Sequence, residues 1–243
     1  MATQKAKAST KPAAQAKHGH EDPEERVGNA IGRTEQFIYK NGKTLITILL
    51  VIVLLIGGYF AYTHLYQAGR ADKASAAMFV AQQNLAQEMY EVALNGDGNQ
   101  LGFLDVIAQY GPTPQGNLAR HYAGECYVKL GDYDSALDYL TRYKEVKGVP
   151  AALVNAQNLG LRGDIYVQKG DLAKAIEMYS KAVKAGEDPL TSPYYLKKLG
   201  LACISANKAA EANEAFQRVL DEYPQSMEAR DIEKYMGVAG QMQ

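Results

Sequence analysis

The chain has 243 residues, and its 26 Lys/Arg and 27 Asp/Glu residues give a formal net charge of −1. This near-neutral charge argues against a nucleic-acid binder, which usually carries a basic stripe. Two cysteines, Cys126 and Cys203, exclude a disulfide framework, an iron–sulfur site and a four-cysteine zinc site, and four histidines leave little for metal catalysis.

The N-terminal segment contains two predicted elements. Residues 1–23 are mostly small and polar, with no large apolar side chain after Met1. Such a segment buries too little surface to offset its chain entropy, so we predict a disordered cytoplasmic tail. Residues 24–43 carry apolar side chains on one stripe, including Val27 and Ile31, which predicts an amphipathic juxtamembrane helix that stops at Asn41-Gly42.

An uncharged apolar run follows at residues 44–62, which comprise 19 residues. As a helix at about 1.5 Å per residue the run spans roughly 28 Å, close to the hydrocarbon thickness of about 30 Å. The alternatives are a buried core helix and a cleaved signal. The rest of the chain is too polar to enclose such a helix, and no clear small-x-small cleavage site follows it. We therefore predict a transmembrane helix over residues 44–63.

The charges on either side of this run predict its orientation. Residues 1–43 hold eight Lys/Arg, whereas residues 64–83 hold two. Because positive charges favour the cytoplasmic side, the N-terminus is expected in the cytoplasm and the C-terminal domain outside it. In a bacterium this would be a single-pass protein of the inner membrane with a periplasmic domain.

The segment after the apolar run reads as two helices. Residues 68–94 carry apolar side chains at helical spacing, including Met78 and Leu85, which predicts one long helix. A short helix over Gln100–Tyr110 follows and ends at Gly111-Pro112. We interpret this pair as a degenerate first repeat.

A short phrase then recurs three times. It reads GECYVKLGDYDSA from Gly124, GDIYVQKGDLAKA from Gly163 and, more weakly, GLACISANKAAEA from Gly200. In each copy an alanine lies twelve residues after the first glycine, and a large residue lies four further on: Leu140, Tyr179 or Phe216. We predict that the glycine lets two helices approach closely and that the large side chain of the second helix fills the gap.

The middle of each copy predicts a turn between two helices. Gly131, Gly170 and Asn207 occupy the position where a positive φ would close the first helix. Asp132 and Asp171 follow and are suited to cap the second helix. This pattern resembles the tetratricopeptide repeat, whose unit is about 34 residues.

We therefore predict an all-α protein in which a single N-terminal transmembrane helix precedes an α-solenoid of tetratricopeptide-like helix pairs. The repeat domain is expected over residues 68–243, with repeats near 68–112, 117–150, 156–190 and 193–224. A helix over 226–236 would cap the last repeat, because solenoids must cover their terminal face.

The sequence carries no enzyme motif: it has no Walker loop, Rossmann glycine pattern, HExxH or Gly-x-Ser-x-Gly. We therefore expect no catalytic activity, no cofactor, no bound metal, no small-molecule substrate and no nucleic-acid partner. Cys126 and Cys203 occupy small-residue positions of first helices, so we predict buried free thiols.

The first helices of such repeats line a concave face, which is the candidate protein-binding groove. The alternative is a generic solvated surface. The residues expected in the groove are His121, Glu125 and Lys129 in one repeat, Gln157, Asp164 and Gln168 in the next, and Tyr194, Lys197 and Leu201 in the last. Alanine at His121, Glu125 or Asp164 is expected to alter partner binding and to leave folding nearly intact.

The junction around the apolar run, residues 35–85, resembles the YfgM-like family, the ancillary subunits of the bacterial SecYEG translocon. The likeness rests on the aromatic-x-x-Asn-Gly-Lys-like segment from Tyr39 to Lys43, the late glycines of the run, and the alanine-rich helix beginning near Ala71. The resemblance implies association with the translocon and with periplasmic chaperones that receive exported chains. It implies no enzyme activity.

Two functional hypotheses follow. In the first, the protein is a membrane-anchored scaffold beside the export channel, and Gly57 and Ala61 form a small-residue face that packs on a channel helix. Glycine is also tolerated in membrane helices without such a contact. In the second, the repeats are a scaffold for peptidoglycan or outer-membrane assembly and make no translocon contact.

Overall fold

The computed structural model describes residues 23–62, 67–186 and 188–242, with the backbone alone at 23–38, 67–68 and 149–150. These residues form eleven helices and no strand, so the all-α prediction is confirmed. The chain divides into two compact units, residues 1–61 and 62–243. The tail predicted to be disordered lies outside the described residues, except for Pro23.

The first unit contains one helix, α1, which runs over Pro23–Ala61 without interruption. The predicted stop at Asn41-Gly42 is therefore wrong, and the predicted helices 24–43 and 44–63 are one helix. A glycine in a helix interior costs about 1 kcal/mol, whereas a helix end here would leave up to four carbonyl groups unpartnered. The long apolar run therefore continues the helix through Gly42.

The second half of α1 is the apolar part. The segment Tyr39–Ala61 has 23 residues and a mean hydropathy of 2.6, and nearly all of its apolar side chains are exposed. It is the one helix among the described residues that is long and apolar enough to cross a membrane. The fold class therefore agrees with the prediction of a single apolar N-terminal helix followed by a helical solenoid.

The second unit begins with three helices, α2 over Gln67–Ala86, α3 over Tyr90–Asn95 and α4 over Phe103–Tyr110. The long helix predicted over 68–94 is wrong, because the chain breaks between α2 and α3, where Glu88 takes a φ of 60°. The break turns α3 back so that its apolar side chains join those of α2 and α4 in one buried cluster. The free energy gained by burying these side chains exceeds the cost of interrupting the helix.

Three helix pairs follow. They are α5 over Pro114–Leu130 with α6 over Tyr133–Arg142, α7 over Val149–Gln168 with α8 over Leu172–Gly186, and α9 over Ser192–Ser205 with α10 over Ala209–Glu222. The last helix, α11, spans Ala229–Gly240 and packs mainly against α10. It takes the place of the capping helix expected over 226–236, but begins three residues later and ends four residues later.

The close approach within each pair occurs as predicted. A Cβ atom on Gly124 would lie 2.5 Å from Cγ of Leu140, and one on Gly163 would lie 2.6 Å from Cε1 of Tyr179. Gly200 faces the ring of Phe216 in the same way. Since real Cβ atoms do not approach so closely, only glycine allows these first helices to meet the large side chains of the second helices.

The turns within the pairs also match the sequence pattern. The φ angles of Gly131, Gly170 and Asn207 are 81°, 75° and 57°. The carboxylate of Asp132 accepts a hydrogen bond of 3.1 Å from the backbone N–H of Ser135, which caps α6. An equivalent 3.1 Å bond joins Asp171 to the backbone N–H of Lys174 in α8. The weaker third copy has no side-chain cap at α10.

Candidate protein-binding groove

A groove of about 720 Å³ lies between α2, α5, α7 and the start of α9. We call this space the main groove. Three of its four walls, α5, α7 and α9, are the first helices of the three pairs. Its surface is largely aromatic and aliphatic, formed by Tyr122, Tyr194, Tyr195, Leu85, Leu153 and Leu161. Such a mixture of apolar walls and a few polar groups is typical of a binding site.

The structure brings five of the nine predicted groove residues together. The side chains that line the main groove are His121, Glu125, Gln157, Asp164 and Tyr194. Two more, Lys197 and Leu201, line a smaller neighbouring groove of about 380 Å³ that also includes Tyr194. Lys129 and Gln168 are exposed and line neither groove.

An ion pair closes the α9 side of the main groove. Nζ of Lys198 donates to both carboxylate oxygens of Asp164, at 2.7 and 2.8 Å. The hydroxyl of Tyr179 donates to the same carboxylate at 2.5 Å. Nζ of Lys198 also lies 4.8 Å from the ring centroid of Tyr194. Burial opposes the charge of Lys198, but its contacts with Asp164 and Tyr194 outweigh this and raise its pKa.

Asp164 therefore has a structural role that the sequence did not reveal. Its carboxylate joins α7 to α8 through Tyr179 and to α9 through Lys198. Removing it would leave two donors without their acceptor. The expectation that alanine at this position leaves folding nearly intact does not fit these contacts.

His121 lies in the floor of the main groove rather than on a solvated surface. It is 2% exposed, and its ring packs between Tyr122 and Tyr143 with centroid distances of 5.4 and 5.9 Å. Its Nδ1 atom has no hydrogen-bond partner within the described part of the chain. Because the side chain is buried, alanine here would open a cavity, so the expectation of unchanged folding does not fit His121 either.

The buried imidazole predicts a pH-dependent stability. Burial lowers the pKa of His121 from 6.5 to about 4. Below pH 6.5 His121 becomes protonated in the unfolded chain but stays neutral in the folded chain. Its contribution to the free energy of unfolding therefore falls as the pH falls. Between pH 7.5 and pH 5 we expect it to lower the free energy of unfolding by about 2 kcal/mol.

This expectation is checked with urea unfolding of the wild type and the His121→Leu variant at both pH values. Leucine has no proton to gain, so the variant should lose about 2 kcal/mol less than the wild type between pH 7.5 and pH 5. Equal losses in the two proteins would show that His121 does not titrate as its burial requires.

Glu125 lies one turn beyond His121 on α5 and is half-buried in the main groove. No ion pair or hydrogen bond to its carboxylate is found within the described part of the chain. Burial raises its pKa, although the charge of Lys129 on the next turn works in the opposite direction.

Lys197 has a structural partner. Its Nζ donates to both oxygens of Asp231 at 2.7 and 2.6 Å and lies 5.2 Å from the ring centroid of Tyr235. Both partners belong to α11, so this lysine ties the capping helix to α9. Lys197 therefore stabilises the packing of α11 on α9 and also lies at the edge of the smaller groove.

The predicted groove residues do not include the apolar wall residues Tyr122, Leu153, Leu161 and Tyr195. Three further contributions to the main groove were also not predicted. The first is the wall formed by α2. A single helix over 68–94 would not place residues 67–86 against the first helices of the repeats, so this wall was not predicted. Leu190, which is 75% exposed, lies in the loop before α9 and was missed because the helical repeat pattern says nothing about loops. The third is Lys198: the helix pattern predicts its neighbour Lys197 in the groove, but two successive side chains differ in direction by about 100° on a helix, and Lys198 is the one that lines the main groove.

No group of three or more potential metal ligands occurs among residues 23–62, 67–186 and 188–242. Cys126 and Cys203 are buried free thiols, as predicted. Burial raises the pKa of Cys126 to about 12 and that of Cys203 to about 11. Both side chains therefore remain protonated and unreactive at neutral pH.

Comparisons with known proteins concern the helix pairs that form the main groove. Tetratricopeptide repeat family models match residues 119–146 and residues 161–227. These two segments are therefore similar to tetratricopeptide repeats. The two matches cover most of the α5–α6 pair and the region from the last turns of α7 to just past the end of α10. No curated protein matches the sequence.

A solved structure agrees at the level of the fold. It is a crystal structure of nearly identical TPR-like repeats from Podosopora anserina, described as a kinesin light chain. The similarity has a TM-score of 0.52 at 12% identity and covers 71% of this chain and 87% of that one. At this identity the likeness shows the fold alone. Tetratricopeptide repeats, to which the two matched segments are similar, typically form scaffolds for protein interactions.

Proposed function

We propose that the protein is a membrane-anchored, protein-binding scaffold that acts as an accessory subunit of the Sec translocon and links it to periplasmic chaperones. In this proposal α1 spans the bacterial inner membrane with its N-terminus in the cytoplasm. The repeat domain is held in the periplasm, where exported chains emerge. The main groove binds the protein partner.

The observation that carries the proposal is the main groove itself. It is open and apolar, and its walls come from the first helices of three successive pairs together with α2. A protein segment entering it would contact several repeats at once, including Gln157, which is exposed on α7. This arrangement supports protein binding through the predicted residues that line the groove.

The apolar helix supports the membrane part of the proposal. An anchor raises the concentration of the repeat domain at the membrane, so weak contacts with neighbouring proteins become effective. Gly57 and Ala61 are exposed on α1 and offer the small-residue face proposed to pack on a channel helix. The resemblance to the YfgM-like family supports the choice of the translocon as neighbour.

Affinity capture of the full chain from mild detergent tests the proposal. We expect translocon subunits and periplasmic chaperones in the captured fraction. Gln157→Arg should reduce chaperone capture, whereas the matched control Gln217→Arg, at an exposed glutamine on α10 outside both grooves, should not. Gly57→Leu combined with Ala61→Leu should reduce translocon capture selectively.

Other outcomes separate the alternatives. Capture of peptidoglycan or outer-membrane assembly proteins without translocon subunits would overturn the translocon assignment in favour of the envelope scaffold. Equal capture by the Gln157→Arg and Gln217→Arg variants would show that the main groove is not the binding surface.

A further inference from the structure

The main groove contains three charged side chains, and only two of them neutralise each other. Asp164 and Lys198 form the close ion pair described above, in which both carboxylate oxygens are engaged. The third, Glu125, has no ion pair or hydrogen bond within the part of the chain that the structure describes. One negative charge in the main groove therefore lacks a direct partner.

The surroundings of Glu125 make this charge costly. The carboxylate is half-buried on a wall that also carries Tyr122 and Leu161. Lys129, one turn away, is exposed and compensates only in part, since the pKa of Glu125 remains raised. A half-buried charge is stabilised when a cation pairs with it, and its desolvation makes that pairing stronger than on an open surface.

His121 adds a second unsatisfied group on the same helix. It is 2% exposed, it lines the main groove, and its Nδ1 atom has no partner among the described residues. With a pKa lowered to about 4 the imidazole is neutral at physiological pH, so it does not repel a cation bound at Glu125.

We propose that the main groove binds a peptide segment of a partner protein that carries a lysine or arginine between apolar side chains, with the basic side chain paired to Glu125. The proposal rests on the proposed protein-binding role of the main groove and specifies which segments it selects. The flanking apolar side chains pack on the tyrosine and leucine walls. An acidic segment is disfavoured, because Lys198 is already occupied by Asp164 and Glu125 repels an anion.

A peptide-display selection on the purified full chain in nanodiscs tests this specificity. The library has random ten-residue segments, and selections are run in parallel on the wild type, on Glu125→Gln and on the control Glu233→Gln. Glu233 is an exposed acid of α11 outside the grooves. The wild type and the control should enrich a lysine or arginine flanked by apolar residues, and Glu125→Gln should lose this preference while still enriching apolar residues.

One enriched peptide is then used in a double-mutant cycle that measures its coupling to Glu125. Replacing its basic residue with norleucine should weaken binding to the wild type about tenfold, as expected for loss of a charge-assisted hydrogen bond, and should leave binding to Glu125→Gln nearly unchanged. Glutamine has the same shape as glutamate and removes a half-buried charge, so the variant is expected to fold.

The outcomes distinguish failure of this inference from failure of the proposed function. Enrichment of apolar peptides without a basic preference, or of acidic peptides, would overturn the role of Glu125 and leave peptide binding intact. A basic preference that persists in Glu125→Gln would also overturn it. If the wild type enriches no peptide at all, both the inference and the proposed binding role of the main groove fail.

Discussion

Replacing Gly163 with alanine is expected to lower the free energy of unfolding of the repeat domain by about 2 kcal/mol, a typical cost of overpacking. The new Cβ would lie 2.6–3.0 Å from three atoms of the Tyr179 ring. This ring cannot easily move, because its hydroxyl is held by Asp164 at 2.5 Å. The clash therefore exceeds the gain of about 1 kcal/mol that alanine brings to a helix.

Urea unfolding followed by circular dichroism measures the change. Gly237→Ala is the matched control, since Gly237 is an exposed glycine of α11 and nothing lies within 4 Å of the Cβ atom that alanine would add there. The control should be as stable as the wild type or slightly more stable. A Gly163→Ala protein that equals the control would show that α7 and α8 do not meet as closely as described.

Placing two arginines in the apolar part of α1 is expected to prevent stable membrane insertion. Val51 and Leu55 lie near the middle of the segment Tyr39–Ala61 and share one helix face. In lipid, each replacement by arginine costs roughly 3 kcal/mol relative to the apolar side chain. The double variant Val51→Arg with Leu55→Arg should therefore move from the carbonate-resistant membrane fraction to the soluble or degraded fraction.

The control for this experiment is the pair Val51→Ala with Leu55→Ala. Alanine keeps the run uncharged, so this protein should stay in the membrane fraction. If the double arginine variant also stays there, α1 is held at the membrane by something other than insertion of this segment.

The repeat domain was predictable because its signals are local. The glycine, the turn and the large side chain recur at fixed spacing, so the contact of Gly163 with Tyr179 follows from the period of a helix pair. The positive φ of Gly131 and Gly170 follows from the same pattern, as does the cap formed by Asp132. Each of these features depends on residues close together in sequence.

Two helix boundaries were not predictable, for opposite reasons. At Asn41-Gly42 a recognisable stop signal is present, but the apolar run that follows keeps α1 continuous. At Glu88 no glycine or proline marks the break, and the positive φ occurs because the turn brings α3 onto the core. In both places the decisive energy comes from the environment of the helix rather than from the residues at the boundary.

The main groove was predictable only in outline. The helix period indicated which faces of α5, α7 and α9 line it. The wall from α2 and the pairing of Lys198 with Asp164 depend on contacts between residues distant in sequence. The burial of His121 depends on Tyr143, which approaches from the loop that leads to the next helix pair. Such contacts form only when the helix pairs are assembled, so no short sequence pattern indicates them.

The central proposal is that α1 holds the repeat domain outside the cytosol, and thiol labelling tests it most directly. The native thiols of Cys126 and Cys203 are buried, so a single new cysteine reports its own location. With a membrane-impermeant maleimide and a permeabilised outer membrane, Gln217→Cys should label while the inner membrane is intact, and Ser9→Cys should label only after it is opened. The reverse pattern would place the repeats in the cytosol and contradict the account.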